Sequence, residues 1–379
     1  MGLILSDDQL ILRDMARSFC EEKSPVERMR TLRDNQDETG FTRALWKEMA
    51  ELGWVGIPFP EDLGGSDMGY GELGVVLAEC GRVLAPEPFL STVLLGGNAI
   101  LLGGQESLQK ELLPGVCSGD RLLALAFQEH GRFSPYHVET RAVATGSEFR
   151  VSGEKLFVLD GHVADQIVTV VRSSGEAGDR EGLTLLVIDS GAPGVTVQRT
   201  TMMDGRNAAR VSFNETPVDA GRLLGEVGHG ADVLDPVFDR ATVALCAEMF
   251  GSFEEAFERT LEYLKTREQF GVKIGSFQAL RHRIAHMFGE LEFARSVLLD
   301  AQTSIDEGRD DVAECASAVK ARCSDVASLI GAEAVQMHGG IGMTDEEETG
   351  LFFKRLKAAE FTLGDAVYHR NRYAGLRGY

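Results

Sequence analysis

His282 and His286 stand four residues apart, the spacing at which two imidazoles share one face of a helix and can hold a metal ion together. The segment reads His-Arg-Ile-Ala-His, so Arg283 occupies the place where a zinc hydrolase carries its general-base glutamate. No further ligand cluster accompanies the pair. It therefore reads as surface or bundle histidines, and no metal site is expected. No serine sits in a G-x-S-x-G turn, no cysteine has a hydrolase signature, and there is neither a phosphate-binding G-x-x-x-x-G-K-[ST] loop nor a strand-to-helix G-x-G-x-x-G. Simple hydrolases, P-loop enzymes and Rossmann dehydrogenases are thereby without support. The run from Gly225 to Gly230 is glycine-rich but reads as a linker.

Two segments offer binding groups without a nucleophile. The first runs from Tyr263 to Gln278 and carries Arg267, Gln269, Phe270, Gly271, Ile274 and Phe277. The second runs from Gln336 to Glu346 and carries His338, Gly339, Gly340 and Gly342. On composition alone each reads equally as a helix end, with a cation complementing the dipole and glycines making the turn. Yet both combine donors with backbone-exposing glycines, the means by which a chain grips a pyrophosphate.

The elements that must position these segments follow from hydrophobic period. Ser6, Asp7, Asp8 and Gln9 form an N-cap with an acidic first turn, ahead of Leu10, Ile11, Met15 and Phe19 at helical spacing. Further helices are expected around 42–52, 70–81 and 108–113. From Arg141 to Phe213 the pattern changes to short β-branched runs, at 141–151, 154–158, 165–171, 182–188, 194–198 and 210–213, with no room for helices between them. After Gly228 steps of three and four return, through Cys246, Phe250, Phe253, Phe257 and Leu264, then Met287, Leu291, Ala294 and Leu298. A third such run, from Val312 to Val335, stops at Gly339-Gly340. The expectation is an α+β fold: an N-terminal helical domain over 1–120, a central antiparallel β-barrel or sandwich over 121–228, and a C-terminal four-helix bundle over 229–379.

The chain has 379 residues, enough for two or three domains, with 44% hydrophobic and 26% charged residues, so it can bury a sizeable core. Its 43 glycines point to many tight turns. The net charge of −21 disfavours nucleic acid and anionic membranes as partners, since both need a basic surface. The six cysteines show no C-x-x-C or zinc-finger spacing, several lie in apolar helical stretches, and the chain reads as reduced and cytoplasmic. No secretory signal and no apolar run of membrane-spanning length is visible. The short myristoylation pattern at Gly2 and Ser6 reads as a chance match.

Taken together, the two C-terminal segments and the α–β–α order resemble the acyl-CoA dehydrogenase family over nearly the whole chain. Asp7-Asp8-Gln9, the run from Leu52 to Pro58, and Pro60-Glu61-Asp62-Leu63-Gly64-Gly65 are similar to its N-terminal signatures. Arg267-x-x-Phe270-Gly271 with Phe277-Gln278, and Gln336-x-x-Gly339-Gly340-x-Gly342, are similar to its C-terminal ones. The resemblance implies a flavoprotein tetramer with FAD between the β-domain and the bundle. It places Arg267, Gln269, Phe270, Ile274 and Phe277 against the FAD of an adjacent subunit, and Gln336 and Gly340 near the diphosphate and adenosine end. It also places Gln128 on a flavin-contacting strand, Ser134 near the cofactor or the CoA pyrophosphate, and Phe157 beside the isoalloxazine. The implied reaction is α,β-desaturation of an acyl-CoA thioester, in which a carboxylate removes the α-proton and the β-hydrogen leaves as hydride to flavin N5. The implied electron acceptor is an electron-transfer flavoprotein.

The sequence departs from that pattern at the base. Counting without gaps from Gln336 puts Leu363 in the place of the family's glutamate, and a shift of one that matches Arg355 to the family's arginine puts Gly364 there. Neither can abstract a proton. The family's other glutamate position, on the first bundle helix, falls at Ala241. Nearby acids are Asp239, Glu360 and Asp365, but one helical residue rotates a side chain by ~100°. Gln128 also replaces a threonine, Leu159 a residue whose hydroxyl bonds the flavin, and Pro135 an aspartate. These departures resemble the small subunits of heterotetrameric acyl-CoA dehydrogenases of bacterial steroid side-chain and dicarboxylic acid breakdown. In those a partner chain carries the base. Fatty acid β-oxidation and steroid catabolism are the processes the resemblance implies, and two alternatives stand beside the α2β2 expectation: a self-sufficient homotetramer that uses a displaced acid, and a non-catalytic structural subunit.

Overall fold

The computed structural model describes residues 4–379; the pattern match at Gly2 lies outside them. The chain begins with α1 (Asp7–Lys23), α2 (Val26–Asp34), α3 (Arg43–Glu51), α4 (Tyr70–Arg82), α5 (Asn98–Gly103) and α6 (Glu106–Cys117). Strands follow as β1 (Leu123–Ala126), β2 (Arg141–Thr145), β3 (Glu148–Leu159), β4 (Gln166–Arg172), β5 (Leu183–Asp189), β6 (Val195–Thr201), β7 (Asn207–Asp219) and β8 (Leu223–Leu224). Then come α7 (Gly230–Thr266), a hairpin of β9 (Glu268–Gln269) and β10 (Val272–Lys273), α8 (Gln278–Asp306), α9 (Val312–His338), α10 (Thr349–Phe361) and α11 (Ala366–Leu376). Ser6 caps α1 as its sequence implies: its Oγ accepts from Gln9 N at 3.2 Å and Gln9 Oε1 accepts from Ser6 N at 3.0 Å. Among the described residues no helix is long and apolar enough to cross a membrane.

The chain divides into two compact units, one of residues 32–68 and 86–241, the other of residues 4–31, 69–85 and 242–379. The first contains the sheet, with strand order β6-β7-β3-β2-β4-β5-β8. Strand β5 lies antiparallel along all of β4, whose other edge is shared: β1 pairs parallel with Gln166 to Thr169, and β2 meets it at Arg172. The sheet is thus open and mixed, not a closed and wholly antiparallel barrel. Parallel pairing needs a long connection, which the excursion from Ala126 to Gln166 supplies. One face buries Ala126, Val151, Val158, Ile167, Val171, Leu186, Val211 and Phe213 as a common core. The predicted run 141–151 is instead two strands of a hairpin turning at Gly146, where φ is +65°. The 225–230 segment docks against β5, with Gly182 N donating to Gly228 O and Gly228 N to Thr184 Oγ1.

Phe89–Gly97 forms a π-helical stretch in which every residue is buried. Being apolar all round, it has no stripe by which its period could be read.

In the second unit α9 packs against α8, α10 and α11, and α4 against α1 and α8. The apolar positions spaced by three and four, including Phe253, Met287, Leu291, Ala294, Val319 and Val326, are its core. Helices α4 and α7 approach to backbone contact: a Cβ on Gly251 would lie 1.8 Å from Ala78 O, and one on Gly81 would lie 2.1 Å from Glu248 O. Arg355, fully buried, satisfies its charge on Glu248 and on the carbonyls of Leu84 and Ala85. All six cysteines are buried, and none forms a disulfide.

Candidate functional site

In the helical unit the segment after Tyr263 is a two-residue β-hairpin. Phe270 and Gly271, at φ +56° and +79°, form its tip, the double left-handed geometry that suits the twist of a tight hairpin. This geometry pushes the Phe270 ring into solvent at 91% exposure, 6.1 Å edge-to-face from the exposed Phe277. Ile274 N donates to Arg267 O, Lys273 Nζ to Thr266 O and Arg281 Nε to Gly275 O, which pins the hairpin to the ends of α7 and α8. Arg267 and Gln269 are exposed, and neither side chain has a hydrogen bond or ion pair among the described residues.

The Gly339-Gly340 turn lies at the end of α9, beside an exposed Gln336. Gly339 has φ +66°, and no atom lies within 4 Å of a Cβ built on either glycine, so the backbone is open to a ligand. The two segments are joined inside one chain. The Tyr263 ring stacks on His338 at 4.4 Å and 27°, and its hydroxyl reaches His338 O at 3.4 Å.

At the corner between α10 and α11, Leu363 and Gly364 have φ of +59° and +98°, and both are buried. Three carbonyls of this corner are held by buried side chains. Lys320 Nζ donates to Glu360 O at 2.8 Å and to Gly364 O at 2.7 Å, and His369 Nε2 bonds Leu363 O at 2.8 Å. Burial pushes the Lys320 ammonium down to about 8. Burial, and then the Lys320 charge, push His369 down to about 3, so at neutral pH its imidazole is neutral and Nε2–H is the donor. Asp365 Oδ1 accepts from Tyr368 N at 2.8 Å and caps α11. Glu360 Oε2 takes hydrogen bonds from Ser328 and Lys357. Asp239 is buried on α7, as is Ala241.

In the sheet unit, Gln128 follows β1, receives Leu156 N on its carbonyl at 2.7 Å, and turns its side chain to His130 O at 2.8 Å. Ser134 is half-buried in the loop beyond, and its carbonyl accepts from His137 N. Phe157 sits in a bulge of β3, where Lys155 to Val158 faces Val211 to Ala209. The extra residue gives Phe157 a φ of +51° and leaves it 47% exposed. Beneath the loop, Lys155 is wholly buried and donates to Glu129 Oε1 at 2.6 Å. Burial drives Lys155 down to about 8 against the pull of Glu129. Burial would raise Glu129, but Lys155, Thr140 and the Glu139 amide together hold it below the usual carboxylate range. At about 8 Lys155 still holds its proton at neutral pH and Glu129 is ionised, so the 2.6 Å contact is an ion pair.

The sequence alone does not disclose the roles of Lys155 and Lys320, whose partners are distant along the chain, or of His369, whose bond to Leu363 O depends on the α10–α11 corner. His282 and His286 are both exposed, and His286 Nε2 lies 3.8 Å from Glu290. The polar cavity of about 510 Å³ lined by Arg17, Glu79, Arg82 and Glu348 includes none of the residues singled out above.

Comparison with known proteins agrees with this architecture. Residues 6–120, 125–216 and 228–375 match the N-terminal, middle and C-terminal domains of acyl-CoA dehydrogenase. The chain belongs to the acyl-CoA dehydrogenase family, FAD-dependent oxidoreductases that act on acyl-CoA thioesters. Caffeyl-CoA reductase-Etf complex subunit CarC of Acetobacterium woodii is 29% identical over 93% of both chains. Among solved structures, a chain of the Tcur3481-Tcur3483 steroid ACAD is 30% identical with a TM-score of 0.87 over 98% of both chains. A chain of the ChsE4-ChsE5 complex from Mycobacterium tuberculosis is 27% identical with a TM-score of 0.89 over the full length of both.

The donor set suits FAD. An unpaired guanidinium, two exposed amides and an open Gly-Gly backbone are groups that take a diphosphate, and exposed aromatic faces are groups that take a ring system.

Proposed function

We propose that this chain is an FAD-binding subunit of an α2β2 acyl-CoA dehydrogenase, in which a related chain brings the catalytic base for α,β-desaturation. The observation that carries this reading is the α10–α11 corner. The reaction requires a carboxylate to take the α-proton. At the base position this chain has a buried Leu363 and Gly364 whose carbonyls are held by His369 and Lys320. The neighbouring acids are committed elsewhere, Asp365 to a helix cap and Glu360 to Ser328 and Lys357.

FAD, when bound, accepts the β-hydrogen as hydride. Arg267, Gln269, Phe270, Ile274 and Phe277 would contact the FAD of an adjacent subunit, with Gln336 and the Gly340 backbone near its diphosphate and adenosine end. In the sheet unit, Gln128 and Phe157 would lie against a flavin, and Ser134 near the cofactor or the CoA pyrophosphate. An acyl-CoA with a bulky group such as a steroid side chain is the substrate class, which the likeness to a steroid ACAD supports. The mixed ChsE4-ChsE5 complex supports a heteromeric assembly. A likeness to an Etf-complex subunit supports an electron-transfer flavoprotein as acceptor. A cytoplasmic location belongs to the same reading.

Anaerobic titration with a panel of acyl-CoA esters, following the flavin's visible band, tests the proposal. The chain purified alone should not bleach, and the complex co-expressed with a neighbouring dehydrogenase gene should. Bleaching by the chain alone would overturn it in favour of a homotetramer with a displaced acid, to be traced with D365N, E360Q and D239N. A complex that forms yet never bleaches would leave a structural subunit.

A further inference from the structure

We propose that His130, His137 and Glu139 form a binding site for a divalent transition-metal ion such as Zn²⁺. Their ligand atoms all lie within 4.8 Å of one another, the only such grouping of three histidine, cysteine or carboxylate side chains among the described residues. The two imidazoles meet edge-to-face with centroids 4.4 Å apart, and His137 Nε2 lies 3.5 Å from Glu139 Oε1. Tetrahedral zinc with bonds of about 2.0–2.1 Å holds its nitrogen ligands about 3.4 Å from one another. Closing the remaining gap needs only rotation of side chains that are exposed or half-buried.

The backbone beneath these ligands is fixed by contacts of its own. The Glu129 carboxylate accepts Glu139 N at 2.6 Å and Thr140 N at 3.0 Å, and it is anchored by the buried Lys155. It thereby ties the residue before His130 to the segment carrying His137 and Glu139. The turn between them is closed by His137 N donating to Ser134 O at 3.2 Å. The loop brings the two imidazoles face to edge before any ion arrives, so little ordering remains to be done on binding. Two imidazole nitrogens and one carboxylate suit a borderline 3d ion, and are too few and too nitrogen-rich for Mg²⁺ or Ca²⁺. Three protein ligands leave a fourth position for water. The net charge of −21 favours cation capture. No metal site is expected from the sequence, where no ligand cluster accompanies His282 and His286; the loop alone brings His130, His137 and Glu139 together. The proposal stands on these side chains and does not depend on the flavin assignment.

Untagged protein titrated with ZnCl₂ in a calorimeter should bind one ion per chain at micromolar affinity, and MgCl₂ should give no response. Loss of one ligand, in H137A, H130A or E139Q, should weaken binding by roughly tenfold or more. H282A/H286A should bind as the wild type does. Zn²⁺ should also raise the Tm of the wild type and not of H130A/H137A. Since His130 and Glu139 are exposed, H130A and E139Q keep the test valid if H137A fails to fold. Absence of saturable binding, binding that survives in H130A/H137A, or binding lost only in H282A/H286A would overturn the site.

Discussion

The ring of Tyr263, near the end of α7, lies stacked 4.4 Å from the imidazole of His338 at the end of α9, and its hydroxyl reaches that residue's carbonyl. This contact couples the Phe270 hairpin to the Gly339-Gly340 turn, two segments more than sixty residues apart in sequence. A ligand that engages both must find them in fixed register.

Removing the ring should therefore loosen that register. An aromatic pair contributes about 0.5–1.5 kcal/mol beyond its area. Y263A is expected to weaken FAD binding by up to about tenfold, since 1.4 kcal/mol is a factor of ten. Y263F, which keeps the stack and loses one long hydrogen bond, should stay within about twofold. Titrating apoprotein with FAD and following quenching of flavin fluorescence reads both. A Y263A protein that binds FAD like the wild type would separate the stack from cofactor binding.

His369 makes the α10–α11 corner acid-sensitive. Its folded pKa of about 3 lies below the ordinary histidine value of 6.5. Between those values the unfolded chain binds a proton that the folded one refuses, so stability falls as pH drops below 6.5. The physical reason is local: Nδ1 is buried without a hydrogen-bond partner, and a proton there would be unsatisfied. The slope from this one group approaches about 1.4 kcal/mol per pH unit. H369Q can keep the bond to Leu363 O and has nothing to protonate. Urea unfolding between pH 7 and 5 should show the wild type losing stability faster than H369Q. Parallel curves would mean that His369 does not titrate in the unfolded chain alone.

The Lys155–Glu129 pair holds the loop that follows β1. Breaking a buried pair on one side leaves an uncompensated charge and costs about 3–5 kcal/mol. K155M is expected to lose that much in chemical denaturation, while K155M/E129L, which removes both charges, should recover part of it. The recovery is limited because Glu129 also binds the amides of Glu139 and Thr140. An additive double variant would show that the two side chains are energetically independent.

Much of this protein is written locally. The Ser6 cap, the helices around 43–51 and 70–82, and the long helices after Gly230 follow from spacing and capping, because an amphipathic stripe is a property of consecutive residues. The signature segments were legible for the same reason, as short runs of arginine, glutamine, aromatics and glycine. What neighbours along the chain cannot specify was decided by packing. The mixed sheet depends on which edge of β4 accepts β1 and β2, and the wholly buried stretch at 89–97 has no polar face to mark its period. Tertiary structure alone set Tyr263 on His338, Lys320 and His369 on the carbonyls around Leu363, and His130 beside His137 and Glu139. Each of these contacts joins groups whose positions depend on how separate elements or loop ends meet, and that is settled only when the whole chain buries its apolar surface.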